Sequence, residues 1–117
     1  MLNEIINKYE NFSDSLVLEM LYNTTSKNLE AVIKCMNKLN DYEFETIKIF
    51  FSDVISVRFV EKQNQSSTSI NSALLTSNNE IITFDFFPLI YGNSDLHENK
   101  YSDFMIKCKQ IGYKVIG

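Results

Sequence analysis

Apolar side chains recur every second residue over most of this chain, and fall at helical spacing at its start. Leu2, Ile5, Ile6, Tyr9 and Phe12 lie along one helical stripe, with Glu4, Lys8 and Glu10 opposite, so an amphipathic helix is expected over residues 2–12. Its polar face lacks the lysine and arginine excess of a membrane-surface helix, which leaves packing against a sheet as its role.

The remainder reads as strands. Residues 15–23 alternate Leu16, Leu18, Met20 and Tyr22 against Val17 and Leu21. Residues 29–38 set Leu29, Ala31, Ile33 and Cys35 on one face and Glu30 and Lys34 on the other. A 3.6-residue period through Leu29, Val32, Ile33 and Met36 also fits there, but the flanking turn-like segments favour a strand. Residues 43–51 place Glu45, Ile47, Ile49 and Phe51 opposite Phe44, Thr46, Lys48 and Phe50. Ser52-Asp53 then turns into a strand over 54–62, with Ile55, Val57 and Phe59 against Ser56, Arg58 and Val60.

Residues 63–69 are a polar loop, and 70–77 fit either a short helix or a strand. Residues 80–87 form the most apolar strand, with Ile82, Phe84 and Phe86 on one side, and Pro88 ends it for want of an amide hydrogen. Residues 91–100 read as a second long loop. Residues 103–109 alternate again, and a last short strand holds Tyr113 and Val115. Short polar turns between sequential strands imply an α+β fold: a mostly antiparallel meander of about six to seven strands with the N-terminal helix packed on it, in one domain spanning 1–117.

Composition bears on class and location. With 117 residues, nine Phe and six Tyr, a hydrophobic core can form without metal or disulfide staples. Cys35 and Cys108 sit in alternating apolar segments and read as small buried hydrophobes in a reducing compartment. An acid at Glu4 stands where a secretion signal needs basic charge, and no apolar run approaches the ~18 residues of a membrane span. A cytoplasmic location without membrane contact is therefore expected. The net charge of −4 and the lone arginine, Arg58, disfavour direct nucleic-acid binding and permit a basic partner.

No catalytic constellation stands out. His97 is the lone histidine and lies in the polar run Asp95-Leu96-His97-Glu98-Asn99, a setting for a solvated side chain rather than an activated base. There is no CxxC, HExxH or EF-hand spacing, so no metal ligands and no cofactor are assigned, and the three glycines are too scattered for a phosphate loop. The acids Asp41, Glu43 and Glu45 alternate along one extended segment. They read either as a solvated strand entrance or as an acidic ridge facing a basic partner. Asp85 lies within Ile82-Thr83-Phe84-Asp85-Phe86-Phe87 and must be paired, with Arg58 the candidate, or face outward as a presented acid.

Three segments together carry a family resemblance. They are Phe12-Ser13-Asp14-Ser15-Leu16-Val17-Leu18, Ile49-Phe50-Phe51-Ser52-Asp53-Val54-Ile55-Ser56-Val57-Arg58-Phe59, and Asp103-Phe104-Met105-Ile106-Lys107-Cys108. In this pattern the chain resembles small bacterial immunity proteins of polymorphic and contact-dependent growth inhibition toxin systems. That resemblance implies a compact sheet-plus-helix domain that blocks a cognate toxin, often a nuclease. Ser13 stands where such proteins carry a His, so no role of that His transfers.

The reading that follows is a non-enzymatic binder that occludes the active site of a basic toxin. Its face would hold Asp41, Glu43, Glu45 and Asp85, with the loop acids Asp95 and Glu98 as alternates and Tyr42 and Tyr91 as aromatic anchors. Two other readings compete. One is a small-molecule-binding or enzymatic domain with a pocket between sheet and helix. The other is a homo-oligomeric subunit pairing through an exposed sheet edge.

Overall fold

The computed structural model describes residues 1–60, 69–92 and 95–117. Its fold is α+β: antiparallel sheets and one short N-terminal helix. Helix α1 (Leu2–Tyr9) is followed by β1 (Ser15–Asn23), β2 (Asn28–Asn37), a 3-10 turn (Lys38–Asn40), β3 (Glu43–Ser52), β4 (Ser56–Phe59), β5 (Ser69–Ile70) and β6 (Leu74–Asn78). Then come β7 (Ile81–Asp85), β8 (Leu89–Tyr91), β9 (Asp95–His97), β10 (Phe104–Cys108) and β11 (Gln110–Val115).

The strands divide into a five-stranded sheet ordered β11-β3-β2-β1-β5, a four-stranded sheet ordered β4-β10-β7-β6, and a β8-β9 hairpin. Only parts of each sheet run as a meander: β11 returns to pair with β3, and β10 inserts between β4 and β7. There are more strands than the sequence pattern implies because β5, β8 and β9 are only two or three residues long.

Where alternation is strict, the strands form as expected. Leu29, Ala31, Ile33 and Cys35 on β2 and Ile47 and Ile49 on β3 are fully buried, and Phe51 nearly so. They pair across the two strands as Leu29–Phe51, Ala31–Ile49, Ile33–Ile47 and Cys35–Glu45. Residues 70–77 hold no helix: Ile70 ends β5, residues 71–73 are irregular, and β6 starts at Leu74. Asn79 and Glu80, both at positive φ (53° and 67°), close a two-residue hairpin between β6 and β7.

Strand β1 departs from its expected faces. A bulge between Val17 and Glu19 shifts the register, so that Val17, Met20 and Tyr22 pack inward while Leu16 and Leu21 join the outer face. The expected loop over 91–100 instead contains β9, which pairs with β8. The expected polar loop over 63–69 and the end of the strand expected over 54–62 fall largely outside the described residues.

The core joins helix and sheets through aromatic rings. Tyr9 stacks on Phe12 (centroids 5.7 Å apart), and Phe12 meets Phe84 (5.0 Å). Phe84 stacks on Phe86 (4.2 Å), Phe86 on Phe104 (3.7 Å), and Phe104 meets Phe59 edge-on (4.8 Å). Phe84 also touches Phe51 of the other sheet (6.1 Å) and is thus the hub between helix exit and both sheets. Phe12 holds φ at +51°, unusual for a bulky residue, and its ring is almost fully buried in this stack.

Cys35 and Cys108 are both buried free thiols. Burial, with the Glu45 charge adding to it, pushes the Cys35 thiol up to about 12, and burial pushes Cys108 up to about 11. A raised thiol value favours the neutral form. The associated stability is therefore whole below the ordinary value of 9.0 and is lost as pH rises from there through 11 to 12. At about pH 8, neither thiol is expected to react with an aromatic disulfide reagent until the chain unfolds. Labelling of folded protein as fast as of a free thiol would contradict this burial.

Candidate functional site

The best-defined cluster of exposed polar and aromatic groups lies where α1 ends beside the connection from β2 to β3. Asn37, the last residue of β2, is 8% exposed and organises the turn. Its Oδ1 accepts from the Leu39 amide (2.9 Å), its carbonyl accepts from the Tyr42 amide (2.9 Å), and its Nδ2 donates to Glu45 Oε1 (3.2 Å). An Asn before a short turn commonly bonds the backbone two residues on, which lets the chain leave the strand sharply.

Asp41 and Tyr42 then both adopt positive φ (52° and 59°) before β3 begins. Two successive non-glycine residues in that region are strained, and the Asn37 bonds hold them there. The result is a hydrogen-bonded tip on which Leu39 is 60% and Tyr42 53% exposed.

Helix α1 braces this tip. Tyr42 Oη donates to Glu10 Oε1 (2.9 Å), and this bond raises the Tyr42 hydroxyl above its ordinary value. Tyr9 Oη donates to Glu45 Oε1; burial first, and then this bond, push the Tyr9 hydroxyl well up. Glu45 thus serves two internal donors, Tyr9 and Asn37, and acts in positioning rather than in presentation. Glu10, Asp41 and Glu43 remain exposed around Tyr42. A cleft of about 310 Å³ beside them is lined by Tyr9, Glu10, Asn11, Ser13, Met36, Lys38 and Tyr42.

The other sequence-derived candidates lie elsewhere. Asp85 is fully buried, so it is no part of a presented acidic surface. Its carboxylate accepts from the Phe87 amide (3.0 Å, Oδ1) and the Asn99 amide (2.7 Å, Oδ2). Asn99 Nδ2 donates in turn to the Phe87 carbonyl (3.0 Å). Asp85 neither pairs with Arg58 nor faces outward, the two alternatives the sequence offers: both residues flank Met105 in register, but Arg58 is exposed and backbone amides serve the buried carboxylate instead.

Tyr91 and Asp95 belong to the β8-β9 hairpin, where His97 meets the Tyr91 ring (4.9 Å) and pairs with Asp95 (3.0 Å). Glu98 pairs with Lys107 (2.8 Å), which also donates to Thr83 Oγ1 (3.0 Å). These two line a second polar cleft of about 310 Å³ with Thr76, Asn78, Asn79, Ile81 and Thr83.

Asp41, Tyr42, Glu43 and Glu45 are therefore brought together, and the structure adds Glu10, Leu39 and Asn37 to them. Among the described residues, no three His, Cys, Asp or Glu side chains are grouped to hold a metal ion, and no helix is long and apolar enough to cross a membrane. The chain matches no protein-family model, no curated protein and no solved structure.

Proposed function

We propose that this chain is an immunity-type binding protein that neutralises a basic bacterial toxin, with the corner around Tyr42 as its docking tip. The observation that carries the proposal is the exposure of Tyr42 and Leu39, at 53% and 60%, on a hydrogen-bonded turn among the carboxylates of Glu10, Asp41 and Glu43. Aromatic anchors ringed by complementary charge are a common arrangement for tight, fast association. The net charge of −4 draws a cationic partner from a distance. The resemblance to immunity proteins supplies the partner class, and blockage of the toxin's substrate cleft supplies the mechanism. No reaction by the chain itself is required.

The test is titration calorimetry against a catalytically inactive form of the toxic domain encoded beside this chain's gene, together with a growth-protection assay. Tyr42→Ala is expected to cost at least about 2 kcal/mol of affinity, roughly 30-fold in Kd. Asp41→Lys with Glu43→Lys is expected to slow association and flatten its salt dependence. Absence of binding, or full affinity in a variant carrying all three changes, would remove the proposal.

A further inference from the structure

The outer face of the five-stranded sheet is open among the described residues. Across β1, β2, β3 and β11 the register sets Leu21, Glu30, Phe50 and Gly112 in one row and Glu19, Val32, Lys48 and Lys114 in the next. Leu16, Lys34 and Thr46 follow, then Met36 and Phe44. Leu16, Leu21 and Phe44 are 43%, 62% and 52% exposed, a large apolar content for a solvated surface.

Charge on this face is segregated. The acids Glu19 and Glu30 lie on β1 and β2, while Lys48 and Lys114 lie on β3 and β11; Lys34 is the one base on the acidic half. Lys34 and Lys114 rest over the rings of Phe44 (5.7 Å) and Phe50 (5.8 Å), and Lys48 bonds Glu30 (3.7 Å).

We propose that a second copy of this chain covers the face in a two-fold dimer. An axis in the interface, parallel to the strands, lays β1 of one copy over β11 of the other, so the rows meet themselves reversed. Glu19 then opposes Lys114 of the other copy, twice. Val32 lies on the alkyl stem of Lys48, and Met36 meets Phe44. Leu21, the most exposed apolar side chain of the rows, comes over Gly112, where an added Cβ would find nothing within 4 Å and the backbone leaves a hollow.

A partner of uniform charge would leave either Glu19 or Lys114 mismatched, whereas a two-fold copy pairs the two, with Glu30 and Lys48 already neutralising each other within each copy. Four strands about 4.8 Å apart, about 30 Å long in β1, β2 and β3 and about 20 Å in β11, offer on the order of 550 Å² before side-chain relief is counted. That approaches the roughly 800 Å² per partner of a standard interface. The dimer uses the sheet's face rather than its edge and adjoins the Tyr42 corner at Met36, which also lines the cleft there.

Sedimentation equilibrium of the full chain tests it, with thermal unfolding of each variant as a check on folding. The wild type is expected to dimerise with a Kd in the micromolar range. Leu21→Arg is expected to give monomers. Glu19→Lys and Lys114→Glu are each expected to weaken the dimer about tenfold, since each breaks both symmetric pairs. The double reversal is expected to restore it. A wild type that stays monomeric at about 500 µM, or folded single reversals that dimerise as the wild type does, would overturn the proposal.

Discussion

Phe84→Ala is expected to lower the stability of this protein by about 3–5 kcal/mol, enough to leave a marginally stable domain partly unfolded at body temperature. The ring contacts Phe12, Phe86 and Phe51, which belong to the helix exit, the bend just after its own strand and the facing sheet. Removing it opens a cavity at the junction of three elements, where no single side chain can collapse to fill the space. Urea denaturation followed by tyrosine fluorescence measures the loss. Ile90→Ala, at a site 58% exposed on β8, is the control and is expected to cost about 1 kcal/mol or less. Equal losses at the two positions would mean that the aromatic stack is not the centre of the core.

Asp85→Ala carries the second largest expected effect, a loss of about 3 kcal/mol. The carboxylate is fully buried and accepts from the amides of Phe87 and Asn99, so it ties the end of β7 to the turn before β10. Truncation leaves both amides without their charged acceptor. Asp85→Asn keeps one carbonyl oxygen and turns an NH2 toward the other amide, so it is expected to fall between Ala and wild type. Equilibrium unfolding ranks the three, and hydrogen exchange at the Asn99 amide locates the damage. A change within about 0.5 kcal/mol in the Ala variant would show that water replaces the carboxylate without penalty.

The two positions differ in how plainly the sequence announces them. Strands β2, β3, β7 and β10 combine a period of two with an apolar inner set, so their faces are legible before any coordinates. The faces of β1 are not, because the bulge between Val17 and Glu19 arises from pairing and leaves no mark in hydrophobicity. The β8-β9 hairpin is hidden for a related reason. Leu89, Ile90 and Tyr91 are all exposed and Asp95 and His97 are polar, so neither strand has a buried face to set an alternation.

The site was half visible. Asp41, Tyr42 and Glu43 are recognisable as an acidic run around an aromatic residue, but their support is tertiary. Glu10 reaches Tyr42 across 32 residues, and no local pattern encodes that contact. Asn37 did carry a signal, an amide side chain at the mouth of a turn, which a search for charged groups passes over. Asp85 drew notice through its apolar neighbours. Its partners could not be foreseen, because backbone amides have no letter in a sequence.

The paired left-handed residues at Asp41 and Tyr42 have a wider consequence. An Asn-Gly dipeptide would occupy the same backbone with less distortion, and a chain shaped by folding alone would drift toward it. Such a replacement would leave a smoother, more durable hairpin and would erase the phenol and carboxylate that project from it. Under the docking role proposed for this corner, thermal tolerance and molecular recognition pull in opposite directions at these two neighbouring positions.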